Sequence, residues 1–383
     1  MIMTERPGNS AAVSPEWLNG VLHQNGVLSK ANVTGVSASN LGTGVGIMAE
    51  VARLSIDYDC AEDGAPASLI GKFPTTDPTN LGVARAMFLY PREVAFYTQL
   101  AQHSPIRTPG LYHADLDMSD HGFVLLLEDL SAATAGDQLA GTTPEQTEAA
   151  LAAIGQLHGA WWGKVDGEEM AALFDYANPE YCAAVQAGYQ AFLAPALVNY
   201  SDTLSDYTKK AAEALAPVAA KMIADMSSRQ RTFCHGDYRA DNLMFGAALG
   251  DGGIAALDWQ ISGRGHGLYD VAYLICGSVP PAQRRETERD LLRRYHDTLL
   301  AMGVENFSFE QCWQDYRYCV LAGLFVAIFT GGGMDLGNER GVEMLRTSAG
   351  RLDVAITELY QSSQLLTLMA GFHELAGVIL LTT

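Results

Sequence analysis

The stretch from Phe233 to Trp259 restricts the fold of this chain more than any other. It holds His235, Asp237, Asn242 and Asp258 within apolar flanks: Phe233-Cys234 before, then Leu243-Met244-Phe245 and Ile254-Ala255-Ala256-Leu257. Short apolar runs bounded by glycine read as buried strands. The loop Gly246–Gly253 folds the chain back as a hairpin, which brings Asp258, sixteen residues beyond Asn242, close to it. A fold that accepts this segment must therefore gather two carboxylates and an amide at one end of a hairpin. Buried charge is costly unless it is paired or metal-bound, so the cluster reads as a site.

The spacing H-x-D-x-x-x-x-N at His235, Asp237 and Asn242 is that of the protein-kinase catalytic loop. The chemistry explains the residue types. A hydroxyl nucleophile must be held in line with the γ-phosphorus, and the Asp237 carboxylate can take its proton. Asn242 offers magnesium a neutral oxygen without adding negative charge beside a triphosphate. Asp258, closing an apolar strand next to this loop, stands where kinases keep a second metal ligand. Three fixed residues alone are a weak signal, and Asp258 is what strengthens it.

Around this segment the pattern changes along the chain. Ser14 to about Leu28 reads as helical. Val33–Ser39, Ile47–Tyr58 and Ser68–Phe73 read as strands of an antiparallel sheet, the first two joined by Gly42, Gly44 and Gly46. Ala84–Gln102 has apolar residues near helical spacing and is predicted as one amphipathic helix. His121–Leu127 is another buried strand, ending at Glu128-Asp129-Leu130. From there the chain reads mostly helical. Thr143-Pro144-Glu145-Gln146 and Ser308-Phe309-Glu310-Gln311 both have the form of a capping box, the second starting a helix expected to run to about Phe329. The expected organisation is α+β, with residues 1–130 as an N-terminal lobe ending in a hinge and 131–383 as a larger helical lobe.

His235-Gly236-Asp237, Asp241-Asn242 and Leu257-Asp258-Trp259 resemble the aminoglycoside phosphotransferase/choline kinase superfamily. Asp258-Trp259-Gln260, Gly267-Leu268-Tyr269-Asp270 and Glu128-Asp129-Leu130 look most like its ecdysteroid-kinase-like branch. The resemblance runs from about Gly35 to Phe329. It implies a protein-kinase-like fold and a small-molecule kinase that uses ATP and Mg2+ to phosphorylate a hydroxyl. It further implies a strand lysine for the α/β-phosphates, paired with a helical glutamate. Lys72 is the only lysine between residues 31 and 163, and Glu93 the only glutamate between Lys72 and Glu128. The resemblance gives Asp237 as catalytic, Asn242 and Asp258 as metal ligands, and Glu128 and Leu130 as hinge contacts to adenine through backbone groups. Gly42 and Gly44 stand where a phosphate-covering loop belongs, but G-x-G-x-G departs from G-x-G-x-x-G, and a plain hairpin turn explains them equally.

Other residues have plainer expectations. His235 is expected to anchor its loop, His158 to be a bonded core histidine, Asp270 an N-cap and Asp241 a solvated turn residue. Arg239 either neutralises transferred phosphate or pairs with a carboxylate of its own lobe. Trp161, Trp162, Trp259, Trp313 and Tyr316 read as core rather than as an acceptor cage.

Composition bounds the alternatives. The chain is 48% hydrophobic and 18% charged, enough to bury a core. Its net charge of −20 argues against nucleic acid or anionic lipid as partner. Six scattered cysteines without a C-x-x-C pair suit a reducing compartment, and the expected location is cytoplasmic. The apolar stretches Val320–Phe329 and Leu365–Leu381 read as buried helices, and a monomer or homodimer is expected. A pseudokinase of the same fold is the rival reading; it would normally lack one of the five site residues. A metal-dependent hydrolase would want clustered histidines, whereas the nine here are dispersed.

Overall fold

The structure, a computed structural model, describes residues 5–41, 48–119, 122–171, 173–250, 252–333 and 339–360. Gly42, Gly44, Gly46 and the apolar stretch Leu365–Leu381 lie outside the described residues. Helix α1 (Pro15–Gln24) starts at a Ser14 cap with proline in its first turn. It lies against β1 (Val33–Asn40), which pairs antiparallel with β2 (Ala49–Tyr58). β2 pairs with β3 (Ser68–Pro74), and β3 with β5 (Gly122–Glu128). β4 (Leu111–Asp117) is the edge strand on β5, giving the order β1-β2-β3-β5-β4. Apolar residues alternate to a core on one side that includes Leu54, Leu69, Phe73, Val124 and Leu126.

The helix predicted over Ala84–Gln102 is broken. α2 (Pro78–Ala86) ends, Phe88 takes a left-handed φ of 55°, and α3 (Leu89–Ala95) begins, widening into a π-turn over Phe96–Leu100. Pro91 is the physical reason. It has no N–H to give Met87 and would clash with that carbonyl in a continuous helix, but it fits the first turn of a new one.

The remainder is mainly helical. A short strand β6 (Thr134–Ala135) leads to α4 (Pro144–Trp161), whose Thr143–Gln146 capping box is formed on both sides. There follow α5 (Pro179–Asn199), α6 (Asp206–Leu215) and α7 (Ala219–Ser228). Two small antiparallel ladders come next: β7 (Arg231–Cys234) with β10 (Gly263–His266), and β6 with β8 (Leu243–Phe245) and β9 (Ile254–Ala256). Then come α8 (Leu268–Ser278), α9 (Pro281–Ala301), α10 (Phe309–Gly333) and α11 (Glu339–Leu359). α10 matches the helix expected from the Ser308 capping box to about Phe329, and it is long and apolar enough to cross a membrane. However, 56% of its apolar window is buried, and α5, α8 and α11 pack along it. The antiparallel β lobe followed by a mainly helical lobe is the α+β architecture the resemblance implied.

Candidate active site

Lys72 sits in the middle of β3, flanked in register by Val51 and Leu125, and is 7% exposed. An ammonium there needs partners. Its Nζ donates to Glu93 Oε1 at 2.6 Å and to Asp258 Oδ1 at 3.1 Å. Burial alone would lower the Lys72 pKa; Asp258 and Glu93 more than reverse this and hold it above its usual value, so it is cationic. Glu93, fully buried, comes from α3, and Asp258 follows β9. Three elements distant in sequence thus converge on one cation.

Asp258 has a left-handed φ of 62°. Such a conformation is uncommon outside glycine, though Asp adopts it more readily than most, and strained backbone concentrates at functional sites. The Asp258 side chain is 28% exposed, and its Oδ2 accepts from Gln260 Nε2 at 3.2 Å.

The loop carrying Asp237 is fastened from below. Asp270, on α8 and fully buried, accepts the N–H of His235 at 2.7 Å, that of Gly236 at 2.8 Å, and His158 Nε2 at 3.2 Å. It is therefore not the expected N-cap; its carboxylate clamps the loop across 35 residues of chain. Only glycine fits at 236, where φ is 86° and a Cβ would lie 2.5 Å from Ile261 O and from the Tyr176 hydroxyl. His235 anchors the loop as expected: Nε2 meets Leu257 O at 2.8 Å, and Nδ1 accepts the Asp237 N–H at 3.2 Å. His158, held by Tyr295 and Asp270, is a bonded core histidine. His158, Cys234 and Asp270 lie close enough to hold a metal, but Asp270 is already committed to this clamp.

Asn242 Nδ2 donates to Asp237 Oδ2 at 2.8 Å, and its backbone carbonyl accepts the Leu257 N–H at 2.8 Å, which closes the hairpin. Asp237, Asn242, Asp258, Lys72 and Glu93 form one connected group, since this hairpin carries Asp258 to Lys72. Arg239 Nε donates to Asp237 Oδ2 at 3.3 Å and Nη1 to Asp241 Oδ2 at 3.1 Å, so it pairs with carboxylates of its own lobe. Asp241 is not the solvated residue expected: its side chain is 4% exposed and also accepts the Gln138 N–H.

The Glu128 N–H donates to Gly110 O at 2.8 Å, and its carboxylate bonds Arg107 and the Gly110 N–H. Its backbone N–H is therefore already engaged and is not the group that would act at a hinge. Next to it Asp129 ties the segment to the sheet through Arg53 Nε and Ser68 Oγ, both at 2.6 Å. Leu130 packs with Leu257 on Met244, Leu249 and Ala255, an apolar platform beside the hinge. Partial burial works against ionisation of Asp129, but Arg53 and Ser68 prevail and hold its pKa at about 2, below the usual 3.8. This contribution to stability is full above pH 3.8 and disappears as the pH falls through 2. Asp129→Ala should therefore be less stable than the parent at pH 6 by chemical denaturation, with the gap closing toward pH 2. A gap that stays constant over that range would show that Asp129 does not anchor the hinge by its charge.

Tyr273 at this site escaped the sequence reading, and Tyr269 entered it only as part of a motif. The half-buried Tyr273 faces Asp237; burial, and then that carboxylate, push its phenol well above the usual range, so it remains protonated. Tyr269 stacks on it, the ring centroids 5.9 Å apart. Their spacing of four on α8 was the available signal. The tryptophans serve the core instead: Trp259 is fully buried and stacks on Phe96, and Trp313 stacks on Tyr316.

Comparison with known proteins bears on the fold and the family. A structure from Ralstonia eutropha, described as a candidate aminoglycoside phosphotransferase, superposes with a TM-score of 0.51 at 14% identity, covering 90% of this chain and 98% of its own. Choline kinase from Cryptosporidium parvum has a TM-score of 0.49 at 10% identity, covering 96% and 98%. Ethanolamine kinase from Plasmodium vivax has 0.49 at 10%, covering 89% and 87%. No curated protein matches the sequence. The family model of the ecdysteroid kinase-like family matches residues 43–304, well over half of the chain. With a kinase-like fold and that match, the chain belongs to the ecdysteroid kinase-like family.

Proposed function

We propose that this protein is a small-molecule kinase that transfers the γ-phosphoryl group of ATP to a hydroxyl of its substrate. The observation that carries the reading is the contact of Lys72 with both Glu93 and Asp258. It joins the β lobe, α3 and the post-β9 segment in the arrangement phosphoryl transfer requires.

The residues present suit magnesium. Asp258 supplies a partly exposed carboxylate, and Asn242, whose amide nitrogen is committed to Asp237, has its amide oxygen to give. This is a hard oxygen donor set, which Mg2+ prefers. Bound there, the ion would neutralise charge on the transferring phosphoryl group. Lys72, held by Glu93, grips the α/β-phosphates. The backbone of Glu128 and Leu130 meets the adenine edge above the apolar platform. Asp237 orients the acceptor hydroxyl and takes its proton as the new O–P bond forms, while the bond to the leaving ADP breaks. Positioning and electrostatics supply most of the catalysis.

Thermal unfolding with and without Mg–ATP tests this reading. At a ligand concentration a hundredfold above Kd the native state gains about 2.7 kcal/mol. The expected result is a magnesium-dependent rise in Tm for the parent and none for Asp258→Ala. No rise in the parent with any nucleotide would sink the kinase reading.

A further inference from the structure

α3 carries a second buried charge beside Glu93. Arg92 is 5% exposed, and among the described residues none of its three guanidinium nitrogens has a hydrogen-bond partner. A buried guanidinium in that condition is costly unless something else compensates it. What it has is an aromatic cage. Its Cζ lies 3.2 Å from the ring centroid of Phe174 and 5.9 Å from those of Tyr176 and Tyr181. The three rings also contact one another, with centroids 4.9 to 5.9 Å apart.

The cage belongs to the helical lobe and is itself tied to the site. Phe174 O accepts the Arg264 N–H at 2.7 Å, and the Tyr176 N–H donates to Arg264 O at 3.1 Å, which docks the segment on β10. The Tyr176 hydroxyl donates to Ile261 O, three residues beyond Asp258. One turn further along the α3 helix, Phe96 stacks on Trp259 at 3.8 Å, nearly parallel. α3 is thus held on one side by Lys72 through Glu93, and on another by the segment that presents Asp258.

We propose that Arg92 is a positioning residue: its guanidinium, caged by Phe174, Tyr176 and Tyr181, docks α3 on the helical lobe and so sets Glu93 against Lys72. A desolvated cation–π contact is among the stronger of its kind, and a planar guanidinium stacks where an ammonium cannot. The proposal rests on the reading of Lys72 and Glu93 as the phosphate-holding pair.

The test uses the full chain as Arg92→Met, Arg92→Lys, Phe174→Leu and Glu93→Gln. The first readout, amide hydrogen exchange over Leu89–Leu100, needs no nucleotide. Arg92→Met and Phe174→Leu should each speed exchange there by about thirtyfold, with Arg92→Lys in between and exchange in α8–α10 unchanged. The second readout is Mg–ATP affinity: Arg92→Met should fall to the level of Glu93→Gln, and the double variant no further. Unchanged exchange in α3, or an increase spread evenly through the helical lobe, overturns the proposal. So does parent-like Mg–ATP binding by Arg92→Met. If the parent itself fails to bind Mg–ATP while Arg92→Met still loosens α3, the kinase reading falls and the docking role of Arg92 stands.

Discussion

Asp237→Asn should lower turnover by about 10²–10⁴-fold, the usual contribution of a positioned general base, with Mg–ATP affinity kept near that of the parent. Asparagine has the same size and keeps an acceptor oxygen for Asn242 Nδ2 or Arg239 Nε, both within 3.3 Å of the carboxylate. It cannot take a proton from the acceptor. The nucleotide is gripped elsewhere, by Lys72 and Asp258, so its affinity is the internal control for folding. ADP release over a panel of hydroxylated acceptors measures turnover, and the Mg–ATP shift in Tm measures binding. A variant that phosphorylates an acceptor at the parent rate would remove Asp237 from catalysis. One that loses both activities would make it a structural or metal-binding residue.

Lys72→Met should lower kcat/KM for ATP by about 10²–10³-fold, the range seen when one preorganised electrostatic contact is removed. It should also destabilise the protein without ligand. The side chains of Lys72 and Glu93 are 8% and 1% exposed, and removing one partner from a buried pair costs about 3–5 kcal/mol. Lys72→Met/Glu93→Gln separates the two effects, because it leaves only the partly exposed Asp258 carboxylate facing the absent cation. Stability by chemical denaturation should largely return while activity does not. If the double variant recovers both, Lys72 is a structural ion-pair partner and the phosphates are held by something else.

The five charged or amide residues of the site were legible because each belongs to a short pattern whose chemistry restricts the residue type. Lys72 stands alone within an apolar strand, Glu93 alone before the hinge, and Asp258 at the end of an apolar run. β4 was not read, because an edge strand that is mostly half-exposed carries little hydrophobic signal. The break between α2 and α3 was present in Pro91 and was outweighed by the helical spacing around it. Asp270 looked like a helix cap because nothing local to it shows two unpaired N–H groups 34 and 35 residues away.

Taken alone, the sequence determined most of the strand and helix types and the hairpin that carries Asn242 and Asp258, which follow from local periodicity. The pairing of Lys72 with Glu93 came from the family resemblance, and the cost of burying an unpaired ammonium agreed with it. Only the tertiary structure decided that Asp270 clamps the catalytic loop, that Tyr273 faces Asp237, that Arg239 is spent on Asp237 and Asp241, and that Arg92 enters an aromatic cage. The reason is common to all four. Asp270, Tyr273 and Arg92 act through partners on other elements, and Arg239 through carboxylates two residues away on either side; whether a polar side chain is satisfied depends on which groups the folded chain brings within about 3 Å, which no local spacing encodes.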